Sequence, residues 1–193
     1  MTIRFRGSLD IDMAALTQNK PVASLLALGE GKPARVCFVC TGNTCRSPMA
    51  EAVFNHIFRV PEICSACDPD KLLARSVRAI SAGLFALGDP IAENAVKALE
   101  AAGIPSRPDN DYRGHISQSV NVEIMEECDA VIGLSGSHAM QLMSFFPQYA
   151  SKITCFPFDI PDPYGGDEED YALCLAAIRR GIGEMFGVEG EDA

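Results

Sequence analysis

Short unbroken apolar runs alternate along this chain with longer stretches whose apolar residues recur every three or four positions. The first run, Val36-Cys37-Phe38-Val39-Cys40, reads as a buried strand. Behind it Met49, Val53, Phe54 and Ile57 recur at helical spacing, with Pro48 at a first-turn position and Glu51 near the positive end. Residues 77–82 read as a second strand closed by Gly83, and Asp89-Pro90 opens a helix that runs to Ala102 and stops at Gly103. Residues 109–118 are loop-like, 121–128 helical, and 130–134 a buried strand. A helix over 137–146 leads to a last strand over 153–156. A loop rich in Pro and Gly over 159–167 then opens a final helix over 168–186.

Strand and helix in alternation predict an α/β fold: a three-layer sandwich with a central parallel sheet of about four strands, flanked by helices. Ligands in such sheets bind beyond the carboxyl ends of the strands, where Cys40 and the 159–167 loop both fall. Residues 35–188 form the main domain on this reading, with an insertion of loop or broken helix around 60–76. Residues 1–34 are an N-terminal extension, in which 11–16 and 21–28 could each form a short helix and Gly29-Glu30-Gly31-Lys32-Pro33 is a linker.

Composition narrows the function. A formal net charge of −10 argues against a partner that is nucleic acid or anionic membrane, because both reward basic patches. Any anion site must then be built locally from backbone dipoles and a few cations. The most apolar early stretch, residues 23–28, is too short for a span and lacks a basic cluster before it, so the expectation is a cytoplasmic protein. The eight cysteines then read as thiols.

The loop between the first strand and its helix carries the candidate chemistry. Thr41, Gly42, Asn43, Thr44 and Cys45 turn from the strand into Arg46-Ser47-Pro48, a layout that points successive backbone N–H groups into one concavity beside a helix N-terminus. Such a cradle suits a phosphate. A helix N-terminus and a nearby cation favour the thiolate form of a cysteine, so Cys40 is the candidate nucleophile. The planar fork of Arg46 matches two oxygens of a phosphoryl group, and the hydroxyl of Ser47 can donate to the sulfur. Gly42 lets the backbone turn, and Asn43 tolerates a left-handed conformation. Asp162, held extended before Pro163 in a loop at the same sheet edge, is the candidate acid that protonates a departing oxygen or nitrogen.

The stretch Val39-Cys-Thr-Gly-Asn-Thr-Cys-Arg-Ser-Pro-Met-Ala-Glu51 resembles the signature of the low-molecular-weight protein-tyrosine-phosphatase family. Ser81-Ala-Gly83, Gly114-His-Ile-Ser117 and Asp162-Pro-Tyr164 are similar to its later landmarks, in order. The resemblance covers roughly residues 36–186. It implies a metal-independent hydrolase without cofactor that acts on phosphorylated proteins or peptides and releases inorganic phosphate. Cys40 would take the phosphoryl group with Asp162 as acid, and Asp162 as base would then help water cleave the phosphocysteine. The same resemblance implies a hydrogen-bond network of Asn43, Ser47, Ser81 and His115 that fixes the loop.

Two positions bear on substrate within that family. Thr44 stands where tyrosine phosphatases usually carry an aliphatic residue, and with the Gly-Gly after the Asp-Pro-aromatic unit it is similar to the bacterial protein-arginine-phosphatase branch. A hydroxyl there can position water, and an aliphatic group would restrict a branched guanidino leaving group. Tyr164 points the other way, toward the tyrosine-specific members. The reading leans to phosphoarginine, with phosphotyrosine as the alternative. Arsenate reduction ranks lower, because no resolving cysteine lies between Cys67 and Cys128. A silent phosphate-binding module ranks lower too, because binding alone needs neither Cys40 nor Asp162. Cys45 is close enough to Cys40 for a reversible disulfide. Cys37 is a buried strand neighbour by alternation. Cys64-x-x-Cys67 lacks a second pair with metal spacing, so no metal site is expected. Asp167-Glu168-Glu169-Asp170 reads as a carboxylate-rich helix start.

Overall fold

The computed structural model describes residues 34–58 and 77–186 throughout, and residues 3–5, 9–11 and 188–189 as strands. The first two of those strands are β1 (Ile3–Phe5) and β2 (Leu9–Ile11). The central elements run β3 (Ala34–Cys40), α1 (Arg46–Ile57), β4 (Val77–Gly83), α2 (Glu93–Ala101), α3 (Val122–Glu127), β5 (Ala130–Gly133), α4 (Gly136–Phe145), a 3-10 turn (Pro147–Lys152), β6 (Ile153–Cys155) and α5 (Glu168–Phe186), before β7 (Val188–Glu189).

β3 to β6 form a four-stranded sheet in the order β4-β3-β5-β6, with every pairing parallel. The chain leaves β3 for β4 on one side and later reaches β5 on the other. The carboxyl end of β3, which is Cys40, is therefore the switch point where open parallel sheets hold ligands. Alternation along β3 separates two cores. Val36, Phe38 and Cys40 face one layer with α1, α2 and α5, whereas Cys37 and Val39 face the other with α3 and α4. Phe38 packs edge-on against Phe54 of α1 at 5.7 Å between ring centres, and Phe54 meets Phe186 of α5 at 5.0 Å. Asn55, buried on α1, donates its amide to the Ala79 carbonyl and accepts the Ala79 N–H, which ties α1 to the outer strand β4.

Several boundaries differ from the pattern reading for identifiable reasons. The helix expected from Asp89 starts at Glu93, because Asp89 bonds Ser117 through both its N–H and its carbonyl while Pro90 bridges to Ile116. It does end against Gly103, at φ 75°, with the Ile104 N–H returning to the Leu99 carbonyl. The carboxylate run at 167–170 forms a reciprocal cap. Asp167 accepts the Glu169 and Asp170 N–H groups while Asp170 accepts that of Asp167. Ile11, read as the start of a short helix, is instead strand. β1 pairs antiparallel with β2, with apolar residues at facing register positions, and β2 pairs with β7. The 21–28 helix, the 60–76 insertion and Cys64 and Cys67 lie outside the described residues. No helix among the described residues is long and apolar enough to cross a membrane.

Candidate active site

β3 ends at Cys40, and five residues carry the chain into α1 at Arg46. The turn depends on Asn43, which is fully buried and stands at φ 57°, the left-handed conformation that asparagine tolerates. Each polar group of Asn43 has a partner. Its N–H donates to Cys40 Sγ at 3.3 Å. Its Nδ2 donates to Ser47 Oγ and to Ser81 Oγ, both at 2.9 Å. Its Oδ1 accepts the Gln118 N–H at 2.9 Å. Its carbonyl accepts from His115 Nε2 at 2.8 Å, which fixes His115 as the Nε2–H tautomer. Burial lowers the His115 pKa more than that hydrogen bond raises it, so the ring is held neutral. Asn43, Ser47, Ser81 and His115 thus lie in one connected set of hydrogen bonds.

The sulfur of Cys40 is 3.0 Å from Ser47 Oγ and buried at the floor of the loop. Because Asn43 donates to Ser47, the serine proton is left for the sulfur or for the Ala82 carbonyl at 3.2 Å. Cys45, the residue before α1, makes no side-chain cap, so the helix begins without a competing side chain at its amides. Arg46 is buried and donates through its guanidinium to Asp162 Oδ2 at 2.6 Å. Asp162 also accepts the Tyr164 N–H on its other oxygen at 3.2 Å. A turn more than a hundred residues away in sequence is thereby brought to the loop that holds Cys40.

Glycine is needed at a different place from the one expected. Gly42 does not adopt a positive φ, and a Cβ on it would meet nothing closer than 3.8 Å. A Cβ on Gly83 would lie 2.8 Å from the Thr41 carbonyl oxygen and 3.0 Å from the Asn43 nitrogen. The loop is therefore seated on the end of β4, and Ser81-Ala-Gly83 supplies both a hydrogen bond and the bare backbone it rests on. Backbone bonds from Leu84 and Phe85 to the Cys40 and Thr41 carbonyls, and from Ala92 to that of Thr44, complete the seat.

The remaining residues named from the sequence sit around this centre. Thr44 is half-buried, with Oγ1 3.6 Å from Cys45 Sγ. Tyr164 is 80% exposed beside Asp162. Cys40 and Cys45 are both free thiols, and Cys45 Sγ lies 3.1 Å from Tyr171 Oη of α5. Cys37 faces the opposite core beside Cys128.

Pattern reading placed Glu51 near the positive end of α1, but it lies beyond the first turn and bonds Ser81 instead. Three further groups around the loop, Gln118, Tyr171 and His138, were missed. Glu51 accepts from Ser81 Oγ at 2.6 Å, and burial of its carboxyl, outweighing that hydrogen bond, pushes its pKa up to about 7. Gln118 donates Nε2 to the Ser81 carbonyl. Tyr171 holds Cys45, and burial raises its pKa so that it stays a phenol. His138, 4% exposed, joins Ser135 to Thr41. A carboxylate between Met49-Ala50 and Ala52-Val53, on a helix face that packs inward, was a readable signal for Glu51; the others carry none.

A phosphate-binding loop at the switch point of a parallel sheet, with a thiol at its floor and a carboxylate on its arginine, defines a cysteine-dependent phosphatase of the hydrolase class. The chain belongs to the low molecular weight phosphotyrosine protein phosphatase family, whose model matches residues 35–190. It is 33% identical over 144 residues to a protein-arginine-phosphatase of Bacillus subtilis, covering 70% of this chain and 83% of that one. To a low molecular weight protein-tyrosine-phosphatase of Streptomyces coelicolor it is 31% identical over 157 residues, covering 75% and 86%. The crystal structure of a low molecular weight protein tyrosine phosphatase from T. tengcongensis superimposes with a TM-score of 0.64 at 35% identity, over 79% of this chain and 97% of that one.

Proposed function

We propose that this phosphatase works through a phosphocysteine on Cys40 and that its substrates are proteins phosphorylated on arginine. The Cys40 thiolate attacks phosphorus while the Arg46 guanidinium holds two phosphoryl oxygens, and the bond to the substrate nitrogen breaks as Asp162 delivers a proton to it. Water then attacks the phosphocysteine, gives its proton to Asp162, and inorganic phosphate leaves as the thiolate re-forms. Asn43 N–H and the Ser47 hydroxyl stabilise the sulfur as nucleophile and as leaving group. The observation that carries this reading is the 2.6 Å contact between Arg46, which is part of the loop around Cys40, and Asp162. A phosphoryl group that engages the guanidinium frees the carboxylate at the place where the leaving group emerges. Neither Cys40 nor Asp162 is needed for a module that only binds phosphate.

The arginine preference rests on Thr44, a small half-buried side chain within the loop, and on the likeness to the Bacillus subtilis enzyme. Phosphotyrosine is the second reading, favoured by the exposed ring of Tyr164 and by the Streptomyces coelicolor relative. Six free thiols among the described residues support a reducing compartment such as the cytoplasm.

The test compares kcat/KM for phosphoarginine and phosphotyrosine peptides in wild type and Thr44→Ile. The expected result is an arginine preference in the wild type that collapses in the variant; a wild type that favours phosphotyrosine overturns the substrate assignment. Cys40→Ser should lose turnover of an aryl phosphate while still binding phosphate, and normal hydrolysis by that variant overturns the mechanism.

A further inference from the structure

α4 comes unusually close to the carboxyl end of the sheet. A Cβ on Gly133, the last residue of β5, would lie 2.8 Å from the Ala139 nitrogen and 3.1 Å from His138 Cβ. This bare position presses the first turn of α4 against the exit of β3 and brings His138 to the loop. Ser135 caps the helix by accepting the His138 N–H at 3.3 Å. Its hydroxyl also meets His138 Nδ1 at 2.8 Å and Ser137 Oγ at 2.8 Å. On the other side of the ring, Nε2 is 3.1 Å from Oγ1 of Thr41, the residue after Cys40. Unlike Cys40 and Asn43, Thr41 is exposed to solvent. Burial first and the Arg46 guanidinium second disfavour the imidazolium, against weaker opposing effects of Asp162 and Asp159. A neutral ring carries one N–H, and two closed arrangements exist. In one, Nδ1–H donates to Ser135 and Thr41 spends its proton on Nε2. In the other, Ser135 donates to Nδ1 and Nε2–H donates to Thr41, whose own proton is then free.

We propose that His138 is a positioning residue that, in the phosphoryl-bound enzyme, adopts the Nε2–H tautomer and turns the Thr41 hydroxyl into a donor to the phosphoryl group. The anion makes the choice. A hydroxyl donating to a phosphoryl oxygen forms a charge-assisted bond, about twice as strong as a neutral one, and the alternative arrangement forfeits it. Ser137 compensates by donating to Ser135 once Ser135 has turned to the ring. Every oxygen and nitrogen in the chain Ser137–Ser135–His138–Thr41 stays satisfied in both states. No group needs to move by more than a hydroxyl rotation and a proton shift. The relay adds one donor to the cradle of amides and the Arg46 fork, on the side of the loop opposite Asn43 and Ser81. This proposal rests on the reading that phosphate occupies the Cys40 loop.

The test is nitrogen NMR of the full chain labelled with 15N-histidine, with and without saturating inorganic phosphate, the His138 signals being assigned by their loss in His138→Phe. The expected result is a His138 with an acceptor-type Nδ1 and a protonated Nε2 in the phosphate complex. Phosphate bound with Nδ1 protonated overturns the proposal and leaves the reading of the loop intact. Absence of phosphate binding to the wild type overturns both. Competitive inhibition by phosphate gives a second readout. Thr41→Val and His138→Phe should each weaken it on the order of tenfold, the worth of one hydrogen bond to a charged group, and the double variant no further. Additive losses overturn the coupling through Thr41.

Discussion

Glu51→Gln tests whether the network below the Cys40 loop carries a titrating carboxyl. Glu51 reaches Ser81 Oγ from the second turn of α1, and desolvation lifts its pKa from 4.5 to about 7. A raised carboxyl pKa means that the folded protein holds its proton more tightly than the unfolded chain does. Stability from this group is therefore fully present below about pH 4.5, falls as pH rises toward 7, and is gone above it. At about 1.4 kcal/mol per unit the shift amounts to roughly 3 kcal/mol, of which about 2.5 kcal/mol is exchanged between pH 5 and pH 8. Glu51 as a residue keeps part of its surface in water, which screens the charge and brings the expected figure to ~2 kcal/mol.

Glutamine is close in shape to the protonated acid and has no charge to desolvate. The measurement is urea unfolding of both proteins at pH 5 and at pH 8. At pH 5 the two should differ little. At pH 8 the variant should be the more stable by ~2 kcal/mol, because only the wild type bears an enclosed carboxylate there. Taking the difference between the two proteins cancels every other group that titrates in the window. A stability difference that is the same at both pH values refutes the reasoning. It would mean that Glu51 ionises in the folded protein as it does in the unfolded chain.

Three further outcomes follow from the geometry. Gly83→Ala drives a methyl into the Thr41 carbonyl and the Asn43 nitrogen, so it should cost about 1–3 kcal/mol in unfolding free energy and weaken phosphate binding, read by competitive inhibition. Gly42→Ala should leave both within experimental error, since space for its Cβ already exists. Tyr171→Phe frees Cys45 Sγ from its 3.1 Å contact with the phenol. If peroxide converts Cys40 to a sulfenic acid that condenses with Cys45 and expels water, the variant should form that disulfide several-fold faster by mass spectrometry.

The architecture was legible because its signals are local. Unbroken apolar runs at β3 and β5, helical spacing in α1 and α5, and Gly103 beyond α2 each act within a few residues. The loop was legible for the same reason: Cys40, Asn43, Arg46 and Ser47 lie within eight consecutive positions. Element edges failed where a distant partner outcompeted a local cap. Asp89 has the residue type of an N-cap, yet its backbone bonds to Ser117 leave Ala92 to occupy that position without a side-chain bond. The strand at Leu9–Ile11 pairs with the nearby β1 on one side and with β7, almost the whole chain length away, on the other, and nothing near Ile11 announces the second pairing.

The part of the site that stayed hidden has a common cause. His138, Gln118 and Tyr171 each act on the loop through one hydrogen bond to a residue between 75 and 126 positions away: Thr41 for His138 at 97, Asn43 for Gln118 at 75, Cys45 for Tyr171 at 126. At each of them the local context offers an ordinary explanation. His138 sits in the first turn of a helix, Gln118 ends a loop, and Tyr171 lies on the inner face of α5. Glycine shows the same division. Gly42 sits inside the loop, where a turn residue is anticipated, but the close approach is at Gly83, in a different strand. The physical demand comes from two backbones meeting, and only one of them is in the motif. A sequence motif therefore reports the groups of the loop itself. The groups that hold the motif in shape are selected by the fold, and they become visible once β4, α4 and α5 are set around the end of β3.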